Sequence, residues 1–277
     1  MKLSFAVYLV FVLSVISNKS LAKFDSLAFQ KYQEIECSLV LIKNDNDILP
    51  LKKLETLDII SLSLSSQLNE FHNRVNSYKE ARNIKGELSG LELEENLIIL
   101  AVNSHDSPSE SQVEDFKNLV SERSDLGVVL LVNSLQWLAE QKDIYALSDA
   151  IIYLPISQSL SYDLATQGVF GGIGITGKLT EDEKVVIPDI TTYMTEPIQR
   201  LKYTLPEEVG IHSDSLDIGI ETIVQEGLDS MAYPSCQVLV AKDGKVIFQK
   251  SYGYHTYDKK QAVTNTDIYD LASVTKV

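Results

Sequence analysis

Four continuous apolar runs, separated by helical patterns, constrain this chain more than any other feature of its sequence. The runs cover residues 56–64, 96–102, 127–132 and 150–154. A strand buried on both faces has this uninterrupted apolar character, because helices cover both sides of a parallel sheet. The alternation of such strands with helices predicts an α/β domain with an open, mostly parallel sheet.

Helix signals occur between these runs. Residues 24–37 carry apolar side chains at helical spacing. A second helix is predicted to open with a capping box formed by Ser107 and Glu110, with Pro108 at the first helical position. A third helix is predicted to begin at Ser134.

Two segments of this region resemble the C-terminal α/β-sandwich domain of glycoside hydrolase family 3. They are LIKND at residues 41–45 with LPL at 49–51, and ATQGVFGGIGITGKL at 165–179. The resemblance extends over about residues 25–190, and the domain is assigned to residues 23–190. The family's catalytic aspartate lies in a preceding barrel domain, which this sequence lacks. The resemblance therefore implies the fold and does not imply glycosidase activity.

The glycine-rich segment also approaches a phosphate-binding P-loop, with Gly172, Gly177 and Lys178 at the required spacing. A P-loop needs Ser or Thr next to hold magnesium, and Leu179 stands there instead. We interpret the segment as a tight glycine turn, and we predict no nucleotide or other cofactor. We predict no metal site either, because the histidines lack ligand spacing; they are His72, His105, His212 and His255.

Polar residues 103–106 follow an apolar run, where the carboxyl ends of parallel strands often bind ligands. His105 and Asp106 are thus candidate contacts for a sugar or a neighbouring domain. The alternative, a plain solvated loop, is favoured.

The end of the sequence carries the pair Ser273-x-x-Lys276. On a helix, residues three apart share one face, so the hydroxyl and the amine would be neighbours. A serine becomes a nucleophile when a neighbouring base takes its proton, and a lysine serves when desolvation or positive charge lowers its pKa. Ser273 and Lys276 are therefore candidate catalytic residues, although the motif alone is weakly specific.

The residues before this pair resemble the opening of the serine β-lactamase-like family, which includes class C β-lactamases and penicillin-binding proteins. The landmarks, in the family's order, are residues 206–211, a helix over 213–227, strands at 236–242 and 245–250 joined by Asp243-Gly244, and the Ser-x-x-Lys pair. Asp-Gly favours a two-residue type I′ hairpin turn. The resemblance implies that Ser273 is the nucleophile and Lys276 the general base.

The family also needs a Tyr-x-Asn or Ser-x-Asn element and a Lys/His-Thr/Ser-Gly strand farther along. The sequence ends at Val277, before either element. Residues 211–277 are therefore interpreted as the N-terminal fragment of such a domain, joined by a linker at 191–210. We expect little or no hydrolase activity from the chain as given, because this stretch is too small to bury a full core.

Residues 1–22 are typical of a secretory signal, with Lys2 before an apolar run and small residues at the end. The run is too short to span a bilayer, so we predict a secreted or periplasmic protein without a stable membrane anchor after cleavage. The formal net charge of −15 argues against nucleic acid as a partner. Cys37 and Cys236 are expected to be two separate buried thiols, with a disulfide as the alternative.

Two functions remain open at this point. The first is an exported serine hydrolase that acts through an acyl-enzyme on a small-molecule or peptidoglycan-type substrate: a cell-wall peptide, a β-lactam or an ester. The second is a non-catalytic carbohydrate-binding or scaffold module. The downstream elements of the β-lactamase family would distinguish the two.

Overall fold

The computed structural model of the protein describes residues 27–64, 68–86, 88, 90–106, 108–123, 125–187 and 189–270. These residues form two compact units: one is Lys31–Arg200, and the other contains the described residues from Leu201 onward together with residues 27–30. The first unit contains a large mixed sheet with helices, and the second contains a small sheet and one long helix.

A six-stranded sheet forms the centre of the first unit, hereafter the α/β unit. Its strands are β1 (Val40–Asn44), β2 (Ile59–Ser63), β3 (Ala81–Lys85), β4 (Leu97–Val102), β5 (Gly127–Val132) and β6 (Ala150–Tyr153). They lie in the order β1-β6-β5-β4-β2-β3. β1 is antiparallel to β6, and all other neighbours are parallel. The open, mostly parallel α/β sheet predicted from the apolar runs is confirmed.

Helices lie before, between and after these strands. They are α1 (Leu27–Ser38), α2 (Asn69–Tyr78), α3 (Glu110–Ser121), α4 (Leu135–Glu140), α5 (Lys142–Leu147), α6 (Ser159–Phe170) and α7 (Glu181–Lys184). Strands β2, β4 and β6 are buried along their whole length, as helical cover on both faces requires. Each large aliphatic side chain buried in this way contributes about 1.5–3 kcal/mol to folding.

Strand β3 was not predicted, because its sequence ARNIK has no apolar run. It pairs with β2 at the edge of the sheet and is only partly buried. An edge strand is held by its backbone hydrogen bonds on one side, so its side chains need not be apolar.

The predicted N-cap of α3 is wrong by two residues. Ser109, and not Ser107, is the N-cap, and Gln112 completes the capping box. The Ser109 hydroxyl accepts a hydrogen bond from the Gln112 amide, and the Gln112 side chain accepts one from the Ser109 amide. By contrast, Ser134 caps α4 as predicted, through a hydrogen bond from the Trp137 amide.

The glycine-rich segment after α6 forms the expected tight turn. Gly171 has φ +74° and ends the helix, and a Cβ on Gly174 would lie 2.6 Å from the carbonyl oxygen of Thr195. A Cβ on Gly177 would overlap the carbonyl group of Leu39. These glycines allow close backbone approach, and the segment follows a helix where a P-loop would follow a buried strand.

The segment predicted as a linker, residues 191–210, forms backbone hydrogen bonds with both units. In the α/β unit, the Tyr193 amide donates to the carbonyl oxygen of Leu41 at 2.8 Å. In the second unit, the Thr204 amide donates to the carbonyl oxygen of Val246 at 2.9 Å.

The second unit, hereafter the hairpin unit, has the sheet order β7-β9-β8. Its elements are β7 (Lys202–Tyr203), α8 (Ser213–Asp229), β8 (Ser235–Lys242) and β9 (Lys245–Gly253). β8 and β9 are antiparallel, with φ +51° at Asp243 and +75° at Gly244 between them. Positive φ at both turn residues is the type I′ geometry, so the predicted hairpin is confirmed.

Among the helices that the structure describes, none combines the length and the apolar character needed to cross a membrane.

Candidate functional site

The predicted nucleophile and base, Ser273 and Lys276, lie outside the described residues, which end at Asp270. The structure does describe the route of the chain toward them. Residues 264–270, here called the approach segment, run beside hairpin β8–β9. The contacts of this segment are therefore the part of the predicted site that the structure reveals.

The approach segment contains no helix or strand, so its backbone groups need other hydrogen-bond partners. Gln237 on β8 supplies two of them. Its side-chain Nε2 donates to the carbonyl oxygen of Thr264 and, at 3.1 Å, to that of Asp267. An amide NH₂ group has two hydrogens to donate, and both are used here.

Asp267 closes a turn within the segment. Its Oδ2 accepts from the Thr264 amide at 2.7 Å, and its own amide donates to the carbonyl oxygen of Thr264 at 3.3 Å. The same Oδ2 lies 3.1 Å from Nε2 of His255. The hydrogen bond from the Thr264 amide, together with His255, lowers the pKa of Asp267 and favours the ionised carboxylate.

Two more contacts attach the segment to both strands of the hairpin. The Tyr269 hydroxyl donates to Oγ of Ser235 on β8 at 3.0 Å. Oγ of Ser251 on β9 donates to the side-chain oxygen of Asn265. Ser235 and Gln237 are two residues apart, so both side chains lie on the same face of the strand. The approach segment thus packs on one face of the hairpin at several points.

Helix α8 packs on the opposite face. Lys250 of β9 forms an ion pair with Glu221 of α8, and the Tyr233 hydroxyl donates to the carbonyl oxygen of Val224. Cys236 also points to this side, and burial raises the pKa of its thiol. A buried thiol with a raised pKa is a weak nucleophile, which indicates a packing role.

The expectation of two buried thiols is half wrong. Both cysteines are free and Cys236 is buried, but Cys37 is exposed near the end of α1. Its neighbours Tyr32 and Ile35 occupy the buried face of that helix, so position 37 points to solvent.

In the α/β unit, polar side chains meet where β4 and β5 end. Oδ1 of Asn133 accepts from the Ser104 amide at 2.8 Å, and its Nδ2 donates to Oδ1 of Asn103 at 2.9 Å. Asn133 Nδ2 also donates to Oγ of Ser157. Asp106, one of the two candidate sugar contacts, is exposed beside this group. The two asparagines therefore join neighbouring strand ends, while sugar binding by His105 and Asp106 stays an untested prediction.

A buried histidine network was not anticipated from the sequence. His72 on α2 is 2% exposed and lies between two serines of β2, with Nδ1 2.8 Å from Ser61 Oγ and Nε2 3.1 Å from Ser63 Oγ. Because Ser61 donates to Oδ1 of Asn83 at 2.6 Å, the network assigns the His72 proton to Nδ1. Burial, and secondarily the charge of Lys85, lowers the pKa of His72 to about 4.

The distances between the serine Oγ atoms and the His72 ring nitrogens are those of a catalytic Ser-His pair, but the surroundings are not. Ser61 and Ser63 are fully buried within the sheet, so a substrate cannot reach them. The role of the network is to join α2, β2 and β3. Within the described part of the chain, no group of three or more His, Cys, Asp or Glu side chains could hold a metal ion.

Comparison with known proteins supports the assignment of the C-terminal region. Residues 220–277 match the family model described as β-lactamase. Protein flp of Staphylococcus aureus is 40% identical over 57 residues, which cover 21% of this chain and 11% of the relative. A protein described as a putative D-alanyl-D-alanine carboxypeptidase from Salmonella paratyphi B is 39% identical over 80 residues, or 26% of this chain and 18% of the relative. The chain thus spans less than a fifth of these relatives.

Solved structures similar to this chain include glycosidases. A β-glucosidase from Listeria innocua, in complex with glucose, has 16% identity and a TM-score of 0.42, and the match covers 53% of this chain and 25% of that chain. A fungal multi-domain GH3 β-N-acetylglucosaminidase has 15% identity and a TM-score of 0.41, with 50% and 17% covered. The family model thus agrees with the predicted β-lactamase resemblance of the C-terminal region. The fold of the α/β unit is established by its own strand order.

Sequence reasoning overlooked Gln237, Asp267 and His255. Two signals were available. Ser235 and Gln237 are polar at alternate positions of a strand that is otherwise mostly apolar, and Thr264-x-x-Asp267 has the spacing of a turn closed by a side chain. Neither signal shows by itself that the strand and the turn meet.

Proposed function

We propose that this chain belongs to an exported serine hydrolase of the β-lactamase and penicillin-binding type, with Ser273 as nucleophile and Lys276 as general base. The observation that carries the proposal is the position of the Ser-x-x-Lys pair. It falls inside residues 220–277, which match the β-lactamase family, and it follows a helix and a type I′ hairpin in the order that the resemblance implies.

The chemistry follows from the two side chains. Lys276, as the neutral amine, accepts the proton of the Ser273 hydroxyl while Oγ attacks a carbonyl carbon. The carbonyl oxygen becomes an oxyanion, which backbone amide donors stabilise. Collapse of the tetrahedral species breaks the bond to the leaving group, which takes the proton from Lys276. Water then hydrolyses the acyl-serine ester and regenerates the serine.

The proposed substrate class is a peptide of peptidoglycan, with β-lactams and simple esters as alternative acyl donors. Two observations favour the peptide. One relative is described as a putative D-alanyl-D-alanine carboxypeptidase, and residues 23–190 resemble an accessory domain of a glycosidase family. An extracytoplasmic location, secreted or periplasmic, agrees with this substrate and with the signal-like residues 1–22.

A covalent labelling experiment tests the proposal. The protein is expressed from its complete gene and incubated with a fluorescent penicillin or a fluorophosphonate probe. We expect one labelled site, located at Ser273 by peptide mass spectrometry. Ser273→Ala should abolish labelling, and Lys276→Met should slow it by about a hundredfold or more, because the general base is lost.

Ser230→Ala is the matched control, since Ser230 is exposed at the end of α8 and its hydroxyl donates to the carbonyl oxygen of Gly227 within its own helix. Its labelling should equal that of the unmodified protein. A protein that is folded, yet is labelled by neither probe, would contradict the hydrolase proposal and favour the non-catalytic alternative.

A further inference from the structure

The approach segment ends three residues before Ser273, so whatever fixes this segment also fixes where the chain enters the proposed catalytic motif. The segment has no secondary structure of its own to hold it. Its position depends on side chains from the hairpin, and these are the contacts of Gln237, Ser235 and Ser251.

We propose that Gln237 and Asp267 are positioning residues of the acylation site, which hold the approach segment against the hairpin and so set the place of the Ser273 nucleophile. The inference rests on the proposed function, and it adds two residues that neither the sequence motif nor the family match assigns. Gln237 acts from strand β8, and Asp267 acts from within the segment.

Gln237 suits this role because its contacts span the turn. One NH₂ group donates to the carbonyl oxygens of Thr264 and Asp267, which are the first and last residues of that turn. A side chain on a strand is a rigid support, since the strand is paired along its length with β9. The turn therefore cannot shift relative to β8 without breaking two hydrogen bonds.

Asp267 complements this contact from the inside. Its carboxylate accepts from the Thr264 amide, so the same turn is closed by a side chain and held by Gln237 from outside. His255 lies on the outer side of the carboxylate and is 40% exposed in its side chain. Asn at position 267 could still accept from the Thr264 amide, whereas Ala could not.

The two hydrogen bonds donated by Gln237 suggest a substitution at position 237 that tests the proposal. Gln237→Glu keeps the size of the side chain but replaces two donors with acceptors that face two carbonyl oxygens. We expect the acylation rate constant at Ser273 to fall by about 10- to 100-fold, because small displacements of a reacting group cost this much. The dissociation constant of the probe should change less than threefold, since Gln237 holds the segment and does not contact the probe.

Gln249→Glu is the matched control. Gln249 lies on the neighbouring strand β9 opposite Leu239, and its side chain makes no hydrogen bond within the described part of the chain. The substitution changes the charge equally and should leave the acylation rate constant unchanged.

Position 267 gives an independent test if Gln237→Glu impairs folding. Asp267→Ala should slow acylation by about tenfold or more, and Asp267→Asn should restore most of the rate, because only Asn keeps the acceptor for the Thr264 amide. A role limited to overall stability would instead lower the melting temperature and leave the acylation rate constant of the folded fraction unchanged.

The experiment measures labelling of Ser273 by a fluorescent penicillin over a range of probe concentrations, which separates the acylation rate constant from the dissociation constant. Slow acylation in Gln237→Glu and Asp267→Ala, with Asp267→Asn and Gln249→Glu near the unmodified rate, supports the proposal. Unmodified rates in both Gln237→Glu and Asp267→Ala would overturn it while leaving the proposed function intact. Absence of labelling in the unmodified protein would overturn the proposed function, and the positioning roles with it.

Discussion

The two units of this protein differ in how completely their strands and helices are buried. In the α/β unit, β2, β4 and β6 are buried from end to end, because helices cover both faces of the sheet. In the hairpin unit, the strands are only partly buried, and apolar side chains of α8 stand in solvent, with Ile218 67% and Ile223 60% exposed. The first unit is held mainly by apolar contact, and the second depends more on hydrogen bonds and ion pairs.

This difference in burial decides which polar side chains a substrate could reach. A polar network inside the α/β unit, such as His72 with its two serines, is sealed and can only stabilise. A polar network on the hairpin, such as Gln237 with Asp267, is partly exposed and lies beside the segment that leads to the proposed nucleophile. A buried polar network therefore indicates a structural role, whereas a partly exposed one beside the proposed nucleophile can have a functional role.

The largest expected effect concerns the core of the α/β unit. Phe116 on α3 is fully buried, so Phe116→Ala should lower the free energy of unfolding by about 3–5 kcal/mol. Ile223→Ala on α8 removes a side chain that is 60% exposed and should cost less than about 0.5 kcal/mol. Urea unfolding followed by circular dichroism gives both values, and fluorescence of Trp137, the single tryptophan, reports on the α/β unit. Equal losses in the two variants would refute the contrast between the units.

A pH experiment tests the buried network. The pKa of His72 is lowered to about 4 in the folded protein, against about 6.5 in an unfolded chain, so folding favours the neutral imidazole. The contribution is fully present above pH 6.5 and is lost as the pH falls toward 4, with a total of about 3 kcal/mol. His72→Gln should remove this part of the pH dependence of unfolding.

Ser230→Ala supplies the comparison in the hairpin unit, because it removes an exposed hydroxyl and no titratable group. It should leave the slope of the unfolding free energy between pH 6.5 and 4 unchanged. If His72→Gln and the unmodified protein have the same slope, the histidine is not buried in its neutral form.

The smallest expected effect is a difference in stability between alanine substitutions at two glycines of α8. A Cβ on Gly227 would overlap the ring and hydroxyl of Tyr233, whereas a Cβ on Gly219 would meet nothing within 4 Å. Gly227→Ala should therefore destabilise the hairpin unit by about 1–3 kcal/mol. Gly219→Ala should stabilise the helix by about 0.5–1 kcal/mol, because alanine restricts the unfolded chain. Thermal melting of the two variants should shift in opposite directions; a shift of the same sign would mean that Tyr233 does not pack on α8.

Much of the fold was accessible from the sequence, and the reason differs between elements. The apolar runs gave β2, β4, β5 and β6 within a few residues, because burial on both faces leaves a continuous signal. The turn at Asp243 and Gly244 was predicted because two residues alone define its backbone geometry. Strand β3 was missed because an edge strand is chosen by its partner and carries no apolar run of its own.

The cap of α3 shows a finer limit. Ser107 and Ser109 both precede the helix, and each has an acidic or amide residue three positions later. Local sequence allows either as the cap, and the helix begins at Glu110 in the structure. The packing of Val113, Phe116 and Val120 against the sheet sets the register of the helix, and the cap follows from that register.

By itself, the sequence determined the alternation of strands and helices, the hairpin, and the identity of Ser273 and Lys276 as candidates for catalysis. These depend on local spacing and on the pattern of apolar residues. Only the tertiary structure decided that His72 lies sealed between two serines and that Gln237 meets the turn at Asp267. Such contacts join residues 9 to 30 positions apart in the chain, and their partners are set by the packing of whole elements, which no local pattern records.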